Sequence, residues 1–281
     1  MTAQSTQTPT QAAYWGQAGG QAWVELQDLM DRLNQPICDA VVAAGFPGAG
    51  GAVVDIGCGA GATTLAMARR VGPQGRSVGV DVSAPLLAAA RTSAQAQGVP
   101  NTEFLEGDAQ TFDLGEAAYD AAISRFGVMF FADFDSAFAN LRRALKPGGK
   151  LAFACWRSPA DNPLAGAPVE AAAPFLPPMP QADPDAPGRW AFAKPDRVRG
   201  ILERSGWRDI DITPLDVPTP IAFDDLMTLS LRMGALGAVL QQADEATQAK
   251  VRTAVAERLA AYEADGMIAM SSACWLVTAR A

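Results

Sequence analysis

The segment Val53-Val54-Asp55-Ile56-Gly57-Cys58-Gly59-Ala60-Gly61 carries the densest chemical information in this chain. An apolar run with an acid near its end reads as a buried strand closing near Ile56, followed by a helix from Gly61 or Ala62. Three glycines at alternate positions let the backbone turn tightly and leave space where a side chain would intrude on a ligand. A loop of this kind at the carboxyl end of a first parallel strand binds a nucleotide-like cofactor. Its spacing argues against a dinucleotide. A dinucleotide loop puts its third glycine at the sixth position, which here is Ala62. The additional Gly61 widens the loop where a pyrophosphate would sit. Asp55 places an anion beside the pocket, repelling a pyrophosphate and attracting an amino group.

A second acid, Asp81, ends the run Ser77-Val78-Gly79-Val80-Asp81-Val82-Ser83. It lies about 20 residues past the glycines, where a carboxylate accepts from both ribose hydroxyls. Asp81 therefore supports a ribose-bearing cofactor without naming which.

Five ordered segments together resemble the class I S-adenosylmethionine-dependent methyltransferases. Asp55 to Gly61 resembles that family's first motif, and Ser77 to Ser83 its second strand with a terminal acid. Phe104-Leu105-Glu106-Gly107-Asp108-Ala109 resembles the third strand, and Tyr119-Asp120-Ala121-Ala122-Ile123-Ser124 the fourth. Leu145-Lys146-Pro147-Gly148-Gly149-Lys150-Leu151 resembles the turn into the fifth. They span Ala52 to Trp156, and the nearest likeness is to the ubiquinone/menaquinone-biosynthesis-like subgroup, which acts mostly on small molecules.

The resemblance implies a doubly wound, Rossmann-like α/β fold: a seven-stranded sheet whose last strand runs antiparallel between the fifth and sixth. It implies S-adenosylmethionine as cofactor and S-adenosylhomocysteine as product. The cofactor set is then Asp55, Gly57, Cys58, Gly59, Gly61, Asp81, Val82, Asp108, Ala109 and Ser124. Asp55 faces the amino group, Asp108 accepts from the adenine amino group while the Ala109 N–H donates to the ring, and the Ser124 carbonyl holds the cofactor's amino group. Cys58 sits buried between loop and helix, without a catalytic part. Arg125 closes the fourth strand and is a weak candidate for orienting the acceptor; Tyr14 is another, as a base.

The remaining chain must position these residues. Strands are expected at Ala52–Ile56, Arg76–Val82, Thr102–Glu106, Tyr119–Ser124 and Lys150–Trp156, with helices at Ala62–Val71, Ala84–Gln97 and Phe134–Leu145. Two N-terminal helices, Ala18–Leu33 and Pro36–Ala44, are expected over the cofactor mouth with Tyr14 and Trp15 near it. Residues 1–48 thus form a tail, disordered to Ala13, and a helical cap; residues 49–281 form the methyltransferase domain. Two insertions, about 158–195 and 223–265, interrupt it as acceptor lids. Between and after them come a helix at Pro195–Ser205 and strands at Asp209–Leu215 and Ser272–Thr278. Val251, Val255, Leu259 and Tyr262 share one face of a helix in the second insertion.

Composition narrows the partners. The net charge of −8 and the absence of any basic cluster argue against nucleic acid. No apolar run approaches the roughly 18–20 residues of a membrane span. Four scattered cysteines and no histidine disfavour metal and disulfides and fit a reducing cytoplasm. A homodimer is left open.

Methyl transfer from a sulfonium is an in-line displacement with a neutral thioether leaving. It demands alignment and exclusion of water more than acid–base groups. Where a base is needed, Tyr14, Asp133 or an acid of the insertions could serve. Phe175, Trp190, Phe192, Phe223 and Met227, from the insertions, suit a small, partly apolar acceptor. A cofactor-binding protein without transferase activity, an NAD(P) oxidoreductase, and a methyltransferase acting on protein or RNA remain alternatives.

Overall fold

The computed structural model describes residues 18–178, 183 and 185–281; Tyr14 and Trp15 lie outside them. Its centre is a seven-stranded sheet in the order β3-β2-β1-β4-β5-β10-β6. The strands are β1 (Ala52–Ile56), β2 (Arg76–Asp81), β3 (Thr102–Glu106), β4 (Tyr119–Arg125), β5 (Leu145–Trp156), β6 (Arg208–Pro218) and β10 (Ser271–Arg280). The first five pair in parallel, and β10 runs antiparallel between β5 and β6. The doubly wound sheet with its reversed last strand is therefore present. The segment Lys146–Gly149, expected as a turn before the fifth strand, is a bulge within β5. The partner register jumps there from Tyr119/Leu145 to Ala121/Lys150, and Gly148 takes a φ of 75°.

Strand alternation sorts the core into two faces. Val53, Ala121, Ile123, Ala152 and Ala154 face one way, under α2 (Gln27–Gly45) and α3 (Ala62–Val71). Val54, Ile56, Ala122, Leu151 and Phe153 face the other, under α5 (Phe134–Ala144) and α7 (Pro195–Arg204). The helix α4 (Ala84–Ala96) starts with Ser83 accepting from the Leu86 N–H, and buries Leu87 and Ala90 beside Phe104.

The N-terminal helices differ from expectation. They are α1 (Ala18–Glu25) and α2, with the break at Leu26 rather than before Pro36. Pro36 lies inside α2, where a proline costs roughly 3 kcal/mol. The stripe Leu29, Ile37, Cys38, Val41 and Val42 runs straight past it and is buried, each larger side chain gaining about 1.5–3 kcal/mol. Burial wins, and α2 becomes a layer of the sheet; only its first turns reach the cofactor edge.

The insertions also differ in part. The first contains α6 (Pro163–Ala172), and the second α8 (Phe223–Arg232), α9 (Gly234–Leu240) and α10 (Glu245–Ala260). A three-stranded ribbon of β7 (Ile221–Ala222), β9 (Met267–Ile268) and β8 (Glu263–Ala264) closes the second. Leu164, Ala172 and Leu176 of the first insertion share one hydrophobic cluster with Leu226, Leu231, Val251, Val255 and Leu259 of the second. Tyr262 lies beyond the end of α10, exposed, and accepts from Arg258 at 2.6 Å. Ala191 and Phe192 leave the first insertion altogether and pack in the main core, because Phe192 fills the space between Phe134, Phe138 and Phe153.

Candidate cofactor site

The cradle is built by β1 running into α3. Gly57, Gly59 and Gly61 all have positive φ, at 64°, 54° and 87°, which side chains resist. Gly57 is also sterically required: a Cβ there would stand 2.7 Å from the Gly127 Cα. A Cβ on Gly59 would meet nothing within 4 Å. The loop is strapped to β2, since the Gly57 and Cys58 N–H groups donate to the Val80 carbonyl at 2.8 and 3.1 Å. The open space at Gly59 is thus preformed.

Asp81 closes the strap. Its Oδ2 accepts from the Gly59 N–H at 2.8 Å and its Oδ1 from the Ser83 N–H at 2.9 Å, and Val82 gives its backbone N–H to the same carboxylate. Burial raises its pKa, opposed by these three donors. Each carboxylate oxygen still has lone-pair capacity for a ribose hydroxyl. Cys58 is buried with Leu87, Ala90 and Phe104, and burial pushes its thiol well above the ordinary range, consistent with packing rather than chemistry.

Asp55 is fully buried. Thr64 Oγ1, in the first turn of α3, donates to its Oδ2 at 2.7 Å, while Oδ1 has no hydrogen-bond partner. Burial is the main cause that lifts its pKa to about 7; the hydrogen bond from Thr64 and the charge of Arg125 oppose the rise. A buried acceptor left open is costly unless a donor arrives. An ammonium group meets that need, so Asp55 fits the amino end of S-adenosylmethionine.

On the adenine side, Asp108 is exposed and its Oδ1 accepts from the Gln110 N–H at 3.0 Å in an Asx turn. Its second oxygen is available to a ligand amino group. Ala109 is buried, and its carbonyl, with that of Phe112, accepts from Asn140 Nδ2 at 3.0 Å. Ser124 acts locally through its side chain: Oγ donates to the Ile56 carbonyl at 2.7 Å and accepts from the Gly127 N–H at 3.1 Å. It thereby locks the ends of β1 and β4 together.

Sequence reasoning missed Thr64, Gly127 and Asn140, whose contacts arise only from through-space partners, and Asp31, whose Oδ1 stands 3.5 Å from Arg125 Nη2. It also missed an aromatic column at the ends of β4 and β5. Phe126, at a φ of 67°, stacks on Trp156 with centroids 4.5 Å apart and planes 6° apart. Trp190 meets Trp156 edge-on at 6.4 Å, and the Arg189 guanidinium lies over both indoles. Of the apolar residues expected around an acceptor, only Trp190 stands in this column. Phe192 is in the main core, Met227 in the cluster shared by the two insertions, Phe223 packed against that cluster, and Phe175 exposed. Asp133 caps α5, accepting from the Ser136 N–H and hydroxyl, which lowers its pKa and makes it a poor base.

Residues 53–149 match the model of a methyltransferase domain family. This stretch holds the cradle, Asp81, Asp108 and the end of β4. That stretch is therefore similar to a methyltransferase domain. The demethylmenaquinone methyltransferase of Thermus thermophilus is 38% identical over 99 residues, 35% of this chain and 44% of that protein. The aklanonic acid methyltransferase DauC of a Streptomyces species is 31% identical over 137 residues, 47% of this chain and 62% of that protein. The matches span less than two thirds of either relative. Among solved structures, the YcgJ protein of Bacillus subtilis superposes with a TM-score of 0.58 at 18% identity, over 88% of this chain and 98% of that one. This last likeness supports the fold alone.

Proposed function

We propose that the protein transfers a methyl group from S-adenosylmethionine to a small, partly apolar organic acceptor by in-line displacement. The observation that carries this reading is the preformed cradle: open space at Gly59, bounded by Asp81, with the buried and half-satisfied Asp55 beneath it. Its donors and acceptors suit a ribose and an ammonium. The thioether leaves uncharged, so the chain needs to align, hold and exclude water rather than protonate.

The acceptor side supports a planar, apolar ligand. Phe126, Trp156 and Trp190 present aromatic surface at the carboxyl edge of the sheet, where ligands bind in open α/β folds. The relatives named above act, by name, on demethylmenaquinone and on aklanonic acid. An acceptor of that class suits the column, with Arg189 at its exposed end to meet an oxyanion. The two insertions, joined in one helical core, would close over it. The negative net charge disfavours a polyanionic acceptor. Among the described residues no helix is long and apolar enough to cross a membrane. The four free, buried cysteines accord with a cytoplasmic setting.

The test is a radiolabelled-methyl assay on small-molecule, RNA and protein fractions in parallel. Label entering mainly the small-molecule fraction is expected. Label in RNA or protein would replace the proposed acceptor, and absence of transfer in all three despite tight cofactor binding would favour a binding protein.

A further inference from the structure

Three buried polar atoms at one corner of the sheet lack hydrogen-bond partners: Asp55 Oδ1, Arg125 Nη1 and Asp31 Oδ1. Strand alternation explains why they share a corner. Asp55 pairs with Ile123 across β1 and β4, and Arg125 lies two residues beyond Ile123, on the same face and one step nearer the carboxyl edge. That face is covered by α2, which brings Asp31, and by the start of α3, which brings Thr64. The Arg125 side chain is only 9% exposed. A guanidinium so deeply buried should be fully hydrogen-bonded. Instead its Nη2 stands 3.5 Å from Asp31 Oδ1, longer than a good charge-assisted hydrogen bond, and Nη1 has nothing.

An open acceptor and an open donor, both buried and electrostatically in reach of one another, are the complement of an α-amino acid. Arg125 is among the charges felt by Asp55. We propose that Arg125 binds the carboxylate of the cofactor's methionyl end while Asp55 takes its ammonium, and that Asp31 is a placeholder that loosens as the carboxylate arrives. This rests on the S-adenosylmethionine reading above and adds to it the group that reads the amino-acid end. It removes Arg125 from the acceptor side, where the sequence had suggested it. A guanidinium matches a carboxylate with two parallel donors, which a lysine cannot do.

The experiment compares S-adenosylhomocysteine with its decarboxylated analogue by calorimetry on the full chain. The wild type should bind S-adenosylhomocysteine about 10- to 100-fold tighter, the scale of lost charge-assisted hydrogen bonds. Arg125→Gln should lose that advantage while binding the decarboxylated analogue as the wild type does. Arg125→Lys should recover part of it, and Asp31→Asn should bind S-adenosylhomocysteine at least as tightly as wild type. Equal weakening of both ligands by Arg125→Gln would overturn the assignment. Should that variant not fold, a wild type that binds both ligands equally would overturn it on its own. A wild type that binds neither ligand rejects the cofactor reading itself, a different result from binding both alike.

Discussion

At the scale of single residues, the site stores its readiness for a ligand in unsatisfied groups. Asp55 is the clearest, its carboxyl lifted by burial to about 7. The native state therefore keeps a proton that the unfolded chain releases near its ordinary value of 3.8. Between those values the native state binds more protons, so the stability of the ligand-free protein is fullest at low pH and falls as pH rises toward about 7. Asp81, also raised, acts in the same direction, while Arg125 opposes. An ammonium at Oδ1 favours the ionised form, so ligand binding should tighten over the same window. Calorimetric titration with S-adenosylhomocysteine between about pH 5 and pH 8 should show this slope, and Asp55→Asn should flatten it. A slope unchanged in that variant would place the titrating group elsewhere. Asp81→Ala should weaken S-adenosylmethionine binding by about 1–3 kcal/mol, the scale of lost hydrogen bonds to a charged group. Wild-type affinity in that variant would remove Asp81 from the ribose.

At the scale of elements, the glycine loop makes a prediction that separates folding from binding. Gly57→Ala forces a Cβ into the Gly127 backbone and should cost several kcal/mol of stability, since neither backbone can retreat from a packed strand end. Gly59→Val meets no protein atom and should cost only the αL strain, about 1–2 kcal/mol. Its side chain should instead occupy the ligand's space and abolish S-adenosylmethionine binding. Thermal melts and calorimetry on the two variants should therefore dissociate, and a stable Gly59→Val that binds normally would make the loop purely structural. The same loop shows why so much of the architecture was legible in the sequence. Its strand and turn carry short-range signals, an apolar run and glycines, as Ser83 and Pro85 do for the start of α4. Pro36 misled, because local preference was outweighed by a buried stripe that only the folded sheet supplies. Phe192 misled for the same reason, since nothing in a proline-rich segment announces that one aromatic returns to the main core. Of the candidate site, the acids Asp55, Asp81 and Asp108 were readable because each stands at or just past the end of a strand. Asp31, Asn140 and the Phe126–Trp156 stack were not, because each works on partners far along the chain, and Thr64 was not, because only the folded loop turns it back onto Asp55.

At the scale of the whole molecule, two cores share the labour. The sheet and its flanking helices hold the candidate cofactor cradle, and the two insertions assemble a second core from Leu164, Leu226, Val251, Val255, Leu259 and their neighbours. The second core is tied to the first by few polar links. Asn162 accepts from the Ala273 N–H at 2.9 Å and donates to the Ala273 carbonyl at 3.0 Å, Arg32 of α2 pairs with Asp225 at 3.8 Å, and Arg232 pairs with Glu25. The two ion pairs are exposed and hold weakly, and the buried Asn162 bonds anchor a single point, so the order of this second core depends chiefly on its own packing. Leu259→Ala, at a fully buried position of α10, should cost about 2–5 kcal/mol, and the loss should fall on the cap. The cradle shares no side chain with that core, so S-adenosylhomocysteine affinity should stay within about twofold, as expected for distant, independent sites. Methyl transfer should fall much further, because a loosened cap admits water and no longer aligns the acceptor. Hydrogen exchange along Val251–Leu259 would report the loosening directly. A variant whose α10 exchanges freely yet turns over at the wild-type rate would show that the insertions do not close over the acceptor.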